Sequence, residues 1–409
     1  MTHAFKLNPN HEHRFPMKRN SHSPRFLDLD EQPKDELNEE PSPKPTEKSY
    51  TWSSASTYAF QVRAFVTQTY LRKICDDCLE MGACHPAEFE YDHGQRAVFL
   101  NSGNLAFSIQ GRLYHYRADV GECSQSLCSN TSVSELVTIL KREIKENNPL
   151  RRKHLQLVAS HGDFRGVMKP VPSTTFSKLV LDPLTAEDIF DNTILQMESL
   201  SSGNGIILHG RPGTGKSLTC QAIVHEAIQR GLSTCYVMGE ADFSGLDRFL
   251  QEFLDPCIVI FEDIDAFACN RFEQGSSVFA DFLQMLSGLT ERREQRVVIA
   301  TTNHLDALDE AIRNRPVRFN RKYQFQDPTN DQIDHLLELY FGAALIPAQL
   351  KRICHDQGFT GAHISEVKRT TEMLAHKRHL TLPEVFADAV HVVQGHFSTQ
   401  SKQVGFGVR

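Results

Sequence analysis

The stretch GIILHGRPGTGKSLTCQAIVHEAIQRG, residues 205–231, decides the fold of this 409-residue chain. It opens with a short apolar run, GIILH, that predicts a buried β-strand. From Gly210 to Ser217 it matches the pattern G-x-x-x-x-G-K-[ST]. A helix is predicted next, because the apolar residues from Cys220 to Ile228 lie on one face and a glycine ends the pattern. Strand, glycine loop and helix in this order are the context that the pattern requires.

The residues of this loop favour binding of phosphate groups. Glycines let the backbone curl so that successive N–H groups point at phosphate oxygens, and the helix N-terminus adds the positive end of its dipole. Lys216 is expected to reach the β- and γ-phosphates of a nucleotide, and the Ser217 hydroxyl is expected to ligate Mg²⁺. The predicted nucleotide-binding residues are Gly210, Arg211, Pro212, Gly213, Thr214, Gly215, Lys216, Ser217 and Leu218.

Four further apolar segments follow a pattern that is typical of parallel strands. TCYVM (234–238), CIVIF (257–261) and VVIAT (297–301) are short continuous apolar runs, and KYQF (322–325) is a weaker one. Strands that are covered by helices on both faces have this composition. Together with the first strand they predict a doubly wound α/β fold, with five parallel strands and the phosphate loop at a strand's carboxyl end.

A pair of acids, Glu262 and Asp263, ends the apolar run of residues 257–261. A buried strand of an ATPase usually delivers a Mg²⁺ carboxylate and a water-activating carboxylate in this way. The usual order is aspartate first and glutamate second, and here the order is reversed. The pair alone leaves three interpretations open: a working hydrolytic site, a dead one, or a strand end without chemistry.

Residues 173–395 contain a series of segments that resembles the AAA+ ATPase module. RPGTGKS resembles its Walker A loop, CIVIFEDIDAF its Walker B strand, and IATTNH its sensor-1 segment. AIRNRPVRFNRKYQF resembles the arginine-finger stretch, GFTGAHISEVKR the start of a lid helix, and STTFSKLVLDP the linker over the adenine. The resemblance implies that Asn303 contacts the γ-phosphate and the attacking water. It also implies that Arg315 and Arg318 reach the γ-phosphate of a neighbouring subunit.

The reversed acids are similar to one branch of this family, which contains the mitochondrial translocase of the Rieske iron–sulfur protein. FEDIDAF and TTNH carry this likeness. By register, Glu262 is expected to hold Mg²⁺ through water, and Asp263 is expected to polarise the attacking water as general base. Val317, Asn320 and His363 depart from the family pattern. They remove none of the charged groups that the chemistry needs, so an active ATPase is predicted.

Composition divides the rest of the chain into segments. Residues 1–52 carry many charges and prolines and few aliphatic residues, which predicts a disordered tail. Residues 53–170 predict a small α+β N-terminal domain that recognises a client or partner, and residues 171–328 predict the nucleotide-binding α/β domain. Four amphipathic segments over residues 329–395 predict a C-terminal α-helical lid, and residues 396–409 predict a second tail.

The small N-terminal domain has its own predicted elements. Apolar residues at helical spacing predict one long helix over residues 57–82. RAVFLN, LAFSIQG and RLYHYRADV are expected to be short strands separated by Gly and Asn turns. HLQLVAS and RGVMKPV are expected to form a hairpin within the same domain, because they flank the short polar segment HGDF.

The cysteines, the net charge and the hydropathy of the sequence indicate the compartment of the protein and the classes of ligand that it binds. Ten cysteines without the spacing of a disulfide scaffold indicate reduced thiols in a cytoplasmic protein. Cys75 and Cys78 have the spacing of a zinc-ligand pair. Cys84, His85, Cys123 and Cys128 do not complete a standard zinc site, so a packing role is favoured over the alternative of structural zinc. The net charge of −7 gives no general affinity for nucleic acid, and no apolar stretch approaches the ~18 residues of a membrane helix.

The resemblance implies ATP hydrolysis, with ATP and Mg²⁺ as cofactors, coupled to remodelling, unfolding or translocation of a macromolecular client, most simply a protein. Finger arginines act only beside a neighbouring active site, so a homo-oligomeric ring, most simply a hexamer, is expected. The alternative is a nucleotide-gated assembly or loading factor that switches partners with little turnover. A nucleic-acid motor is disfavoured by charge and by the lack of an aromatic and basic stacking platform.

Overall fold

The computed structural model describes residues 48–397 apart from a set of gaps. The gaps are residues 55, 93, 161–162, 200–202, 239–241, 266–276, 288–295, 309–311, 313–318 and 343–347. The two expected tails, residues 1–52 and 396–409, therefore lie outside the described residues except at their inner ends. Arg315, Val317 and Arg318 also lie outside them.

The N-terminal domain contains an antiparallel sheet of five strands within the described residues. The strands are β1 (Ser49–Ser53), β2 (Asp77–Asp92), β3 (Gln95–Ile109), β4 (Arg112–Asp119) and β5 (Ser124–Ser129). They lie in the order β1-β5-β4-β3-β2. Strand alternation buries one face of the sheet, including Leu105, Phe107, Tyr114 and Tyr116. The helix α1 (Thr57–Ile74) packs on β3, and α2 (Ser134–Glu146) packs beside α1.

Three expectations for this domain differ from the structure. RAVFLN and LAFSIQG, expected to be separate short strands, belong as far as Ile109 to the single strand β3, which pairs with β2 and β4. The helix predicted over residues 57–82 is wrong beyond Ile74, because the following residues form β2 and pair with β3 over most of their length. Helical spacing of apolar residues upstream did not reveal this long-range pairing. The range expected for the tail, residues 1–52, overlaps β1, which pairs with β5 from Ser49 to Ser53.

A seven-stranded sheet forms the centre of the predicted nucleotide-binding domain as far as the structure describes it. Its strands are β6 (His154–Ser160), β7 (Asp163–Met168), β8 (Asn204–Gly210), β9 (Ser233–Met238), β10 (Cys257–Phe261), β11 (Arg296–Thr302) and β12 (Arg321–Phe325). The order across the sheet is β12-β8-β11-β10-β9-β6-β7. The pairs from β12 to β6 are parallel, and only the pairing of β6 with β7 is antiparallel.

The prediction of five strands for this sheet is corrected by the hairpin of β6 and β7. The hairpin forms, with Leu155 opposite Met168, but β6 also pairs with β9, with Leu155 opposite Cys235. It therefore extends the nucleotide-binding sheet, although the sequence placed it in the N-terminal domain of residues 53–170. Pairing covers the edge that β9 would otherwise expose.

Alternate residues of the sheet belong to two apolar clusters, one on each face. Ile258 and Ile260 of β10 lie in the cluster that contains the helix α5, whereas Val259 and Phe261 lie in the larger one. Strands that are buried on both faces require continuous apolar runs such as CIVIF. The helices of this domain are α3 (Pro183–Phe190), α4 (Gln196–Ser199), α5 (Lys216–Gln229), α6 (Phe243–Phe249) and α7 (Ser277–Ser287).

The N-terminal and nucleotide-binding domains share the larger apolar cluster. The Arg63 guanidinium, 5% exposed, donates from Nε to Glu252 Oε1 at 2.6 Å and from Nη2 to Glu252 Oε2 at 2.5 Å. The Tyr58 and Phe249 rings lie 5.7 Å apart, and Asn148 Nδ2 donates at 2.9 Å to the carbonyl oxygen of Phe253, in the short helix before β10. The N-terminal domain is thus fixed to the segment that leads into the strand with the acids.

Arg296 begins β11 and is buried among carboxylates at the end of the sheet opposite the glycine loop. Its Nε donates to Asp255 Oδ1 at 2.9 Å, and its Nη1 donates to Asp247 Oδ1 at 2.7 Å. Asp255 and Arg296 are 1% and 2% exposed. The two residues join the starts of β10 and β11, which are neighbours in the sheet.

Arg296→Met is expected to lower the free energy of unfolding by about 3–5 kcal/mol, because it leaves the buried Asp255 carboxylate uncompensated. Urea denaturation of the purified variant measures this loss. Arg352→Met is the control: its side chain is 84% exposed and lies 3.9 Å from Asp356, so about 0.5 kcal/mol or less is expected. Equal losses in both variants would show that the buried pair has no special role.

The helices α8 (Asn330–Phe341), α9 (Ala348–Asp356), α10 (Gly361–Arg378) and α11 (Leu382–Phe397) follow the sheet. They share an apolar core that contains Ile333, Leu337, Val367 and Phe386. Thr329 and Gln332 form a capping box at the start of α8. These four helices are called the lid below. None of the helices within the described ranges has the length and apolar character that a membrane crossing requires.

Candidate active site

The glycine loop leaves β8 at Gly210 and enters α5 at Lys216. Gly210 has a φ of 146°, and a Cβ placed on it would lie 2.1 Å from the carbonyl oxygen of Phe325 in β12. Gly213 has a φ of 81°, and a Cβ there would lie 2.7 Å from Thr360 Oγ1. A side chain is therefore excluded at both positions. The loop is held between β12 on one side and the lid on the other.

Lys216 is a buried cation of this loop, with 7% of its surface exposed. Its Nζ donates to the carbonyl oxygens of Gly210 at 2.7 Å and Arg211 at 2.9 Å, and to Asn303 Oδ1 at 2.8 Å. Burial lowers the pKa of the ammonium group, while the carboxylates of Asp263 and Asp265 raise it. One ammonium group thus connects the loop to the end of β11.

Glu262 and Asp263 follow β10 directly, and both are exposed. Asp263 lines the same cavity as Lys216 and Asn303, and Asn303 Nδ2 donates to Asp263 Oδ1 at 3.4 Å. The Glu262 carboxylate adds to the effect of burial in raising the pKa of the Cys220 thiol in α5 and of the Tyr236 hydroxyl in β9. Cys220 lies one helical turn after the loop lysine. The two acids therefore have different neighbours, and Asp263 is the one beside Asn303.

The first turn of α10 rests on the glycine loop, where the Ala362 N–H donates to Gly213 O at 3.3 Å. His363 caps this turn: its Nδ1 accepts the Thr360 backbone N–H at 3.1 Å, and its ring stacks on Phe359 at 5.3 Å. Burial lowers the pKa of His363, which favours the neutral ring that accepts this bond. His363 is one of the departures from the family pattern. Its ring nitrogen accepts the capping hydrogen bond that a carboxylate oxygen would otherwise accept.

A cavity of about 760 Å³ lies between the glycine loop, the strand ends, the linker before α3 and the lid. This volume is within the range of ligand sites. Polar groups of the lining come from the loop and from the ends of β10 and β11, and the linker and the lid add others, among them Lys178, Asp182 and Gln332. The linker and the lid also contribute apolar side chains, namely Leu179, Val180, Leu181, Leu336, Leu339 and Tyr340. The cavity therefore offers the glycine loop for phosphates and apolar side chains of the linker and the lid for a ring system.

The structure brings most of the predicted binding residues to this cavity. Its lining includes Pro212, Gly213, Thr214, Gly215, Lys216, Ser217, Leu218, Asp263 and Asn303. Gly210 and Arg211 line a neighbouring cavity of about 680 Å³ instead, where Arg211 Nη1 lies 2.6 Å from Asp327 Oδ2. Glu262 lines neither of these two cavities. Arg315 and Arg318 lie outside the described residues, so their positions stay a prediction.

Two residues near the acids were not expected from the sequence. Thr301 Oγ1 accepts the Asp263 N–H at 3.0 Å. Asp265 has a buried Oδ1 without a hydrogen-bond partner among the described residues, and its charge raises the pKa of the loop lysine. Thr301 could have been found from strand register, because Ala300 pairs with Phe261 and the residues beyond them must meet. No sequence pattern that we considered indicated Asp265.

Comparison with known protein families finds a match for the centre of the chain. The model of the ATPase family associated with various cellular activities (AAA) matches residues 206–327. That range holds the glycine loop, both acids and Asn303. The chain contains an AAA ATPase domain. The AAA domain is a nucleotide-binding domain, and its glycine loop has the G-x-x-x-x-G-K-[ST] pattern at residues 210–217.

Curated relatives of the AAA domain come from archaea, animals and a fungus. The chain is 29% identical over 232 residues to ATPase family AAA domain-containing protein 2B of Homo sapiens, covering 52% of this chain and 15% of that protein. It is 31% identical over 210 residues to protein CdcH of Halobacterium salinarum, with 48% and 28% covered. Identity to proteasome-activating nucleotidase 2 of the same archaeon is 33% over 177 residues, with 40% and 41% covered. The chain thus spans less than half the length of these relatives.

Proposed function

We propose that the chain hydrolyses ATP and uses the reaction to remodel, unfold or move a macromolecular client, most simply a protein. The observation that carries this proposal is the meeting of Lys216, Asp263 and Asn303 at one cavity. A cation for phosphate, a carboxylate for water and an amide between them are the groups that hydrolysis of a nucleotide needs. A relative named as a proteasome-activating nucleotidase supports a role in macromolecular processing.

Binding in this proposal depends on the glycine loop and Lys216. The backbone N–H groups of the loop and the N-terminus of α5 bind phosphate oxygens, and the lysine places its charge on the β- and γ-phosphates. The lysine must leave its present hydrogen bonds, including the 2.8 Å bond to Asn303 Oδ1, to contact a phosphate. Asn303 is then free to contact the γ-phosphate and the attacking water.

The donor set also fits Mg²⁺, which prefers oxygen ligands and takes only one or two from protein beside phosphate and water. Ser217, an exposed hydroxyl in the cavity lining, would bind the ion, and Glu262 would hold its water shell. The ion would neutralise charge on the phosphates. Asp263 would accept the proton of the attacking water, and Asn303 would orient that water.

A homo-oligomeric ring, most simply a hexamer, is part of the proposal, because Arg315 and Arg318 would complete the site of a neighbouring subunit. Residues 53–170 would select the client. The ion pair of Arg63 with Glu252 supports this arrangement, because it fixes that domain to the segment before β10. A cytoplasmic location agrees with the cysteines, which are free thiols in the described part of the chain. The similarity to the Rieske-protein translocase branch rests on the acids and on TTNH alone.

A nucleotide-gated assembly factor is the second candidate, and turnover separates the two. A remodelling ATPase is expected to release many phosphates per subunit and to be stimulated by its client. A switch is expected to hydrolyse about one ATP per assembly event. Affinity capture with Asp263→Asn, which should hold ATP, would recover the client for this comparison. Single turnover that the captured client leaves unchanged would favour the switch.

Lys216→Ala is expected to weaken MgATP binding by about 100-fold or more, because it removes the charge that bonds to the β- and γ-phosphates. Titration with a fluorescent ATP analogue measures the affinity. Lys141→Ala is the control, since this exposed lysine of α2 lies over the Tyr50 ring, at 4.5 Å, and outside the lining of the active-site cavity. Unchanged affinity in Lys216→Ala would rule out the assignment of the phosphate loop.

A further inference from the structure

The side chain of Thr301 touches the backbone of the acidic turn. Thr301 is 1% exposed, and it is the first residue of β11 beyond the pair of Ala300 with Phe261. Its Oγ1 accepts the Asp263 N–H at 3.0 Å, and its carbonyl oxygen accepts the Ile264 N–H at 2.9 Å. One buried residue therefore holds two successive N–H groups of the turn.

This turn needs support, because Asp263 has a φ of 51°. The left-handed region is unfavourable for a residue with a side chain and persists where the surroundings determine it. The two hydrogen bonds that Thr301 accepts hold the turn at this residue. In this conformation the Asp263 carboxylate lies beside Asn303, whose Nδ2 donates to Asp263 Oδ1 at 3.4 Å. Thr301 in β11 thus holds the backbone of Asp263, and Asn303, just after β11, contacts its carboxylate.

We propose that Thr301 is a positioning residue for hydrolysis: its hydroxyl holds the backbone of Asp263 so that the carboxylate meets the attacking water. This inference rests on the proposed function, in which Asp263 is the general base. A base must lie within hydrogen-bond reach of the proton that it takes, and a displacement of about 1 Å costs up to ~100-fold in rate. Thr301 itself does not touch the reacting atoms.

The neighbouring Thr302 provides a matched control. It is also buried, at 0% exposure, and its Oγ1 accepts the His304 N–H at 3.0 Å. The two threonines therefore share strand, burial and type of hydrogen bond, and they differ in the N–H group that they hold. A general effect of losing a buried hydroxyl would appear in both valine variants, whereas an effect through Asp263 would appear only in Thr301→Val.

The test compares steady-state ATP hydrolysis and MgATP affinity in Thr301→Val, Thr301→Ser and Thr302→Val of the full chain. Thr301→Val is expected to lower kcat by about 10- to 100-fold, with MgATP affinity within about threefold of wild type. Thr301→Ser retains the hydroxyl and should keep most of the activity. Thr302→Val should change kcat by less than about threefold. Thr301→Val in an Asp263→Asn background should add little further loss, because both changes disable one group.

Several results would overturn the positioning role. They are full kcat in Thr301→Val, equal losses in Thr301→Val and Thr302→Val, and losses that multiply in the double variant. Loss of MgATP binding in Thr301→Val would also overturn it, because the hydroxyl would then support the whole pocket. Failure of the proposed function looks different: the wild-type chain would not hydrolyse ATP, or Asp263→Asn would hydrolyse it at the wild-type rate.

Discussion

Asp263→Asn is expected to bind MgATP with nearly wild-type affinity and to hydrolyse it about 100-fold or more slowly, the scale of losing a general base. The amide keeps the size of the side chain and its place beside Asn303, but it cannot accept the proton of the attacking water. The Walker A loop and Lys216 are unchanged, so phosphate binding should persist. Phosphate release at saturating MgATP and equilibrium binding measure the two quantities separately.

Asp331→Asn is the control for this variant, because it makes the same chemical change at an exposed position in the first turn of the lid. It should hydrolyse ATP at the wild-type rate within about twofold, since it lies outside the lining of the active-site cavity. A wild-type rate in Asp263→Asn would rule out this residue as the base. If Asp263→Asn instead lost affinity for MgATP, Asp263 would have the role that we propose for Glu262, which is to support Mg²⁺.

Arg315→Ala and Arg318→Ala are each expected to reduce hydrolysis by about 1,000-fold or more, the scale reported for finger arginines, and to leave MgATP binding within about threefold of wild type. The reason is that each guanidinium would stabilise transition-state charge in the neighbouring subunit and would not hold the nucleotide of its own. Steady-state hydrolysis and nucleotide titration of the purified variants check both parts.

Mixed assemblies give the sharper form of this test. Arg315→Ala subunits retain the binding pocket, and Lys216→Ala subunits retain the finger, so a mixture should recover part of the activity that each variant lacks. Arg352→Ala is a suitable control, because it removes an exposed arginine whose side chain is 84% accessible. If mixed assemblies are proven and remain inactive, the arginines do not act between subunits.

Local sequence was sufficient for the strand, glycine loop and helix around Lys216. The backbone of such a loop is determined by residues that are neighbours in sequence, and glycines at 210 and 213 have the positive φ values that the loop requires. The apolar run CIVIF was equally informative, because a strand covered on both faces has few compatible compositions. These features depend on short-range chemistry, which a sequence displays directly.

Features that depend on pairing between distant residues could not be predicted in the same way. The hairpin of β6 and β7 was recognised, but nothing local shows that β6 pairs with β9 about 80 residues later. The end of the first helix at Ile74 depends likewise on the pairing of β2 with β3. The left-handed backbone of Asp263 is hydrogen-bonded to Thr301, which is distant in sequence. In each case the missing information was a register between strands.

We propose that position in the fold accounts for the reversed order of the acids. Glu262 is the first residue after β10, and Asp263 is the second and lies beside Asn303. We infer that the position of each acid in the fold determines its role in the site. The exchange of glutamate and aspartate changes only the length of the side chain, by one methylene. Exchanging the two residues, as Glu262→Asp with Asp263→Glu, should therefore retain measurable hydrolysis.

The most direct test of this account is the nucleotide that Glu262→Gln and Asp263→Asn retain after incubation with radiolabelled MgATP and rapid gel filtration. If position decides, Asp263→Asn elutes with unhydrolysed ATP, and Glu262→Gln elutes with little nucleotide, because its support for Mg²⁺-dependent binding is lost. The opposite result, with ATP on Glu262→Gln and little nucleotide on Asp263→Asn, would contradict the account.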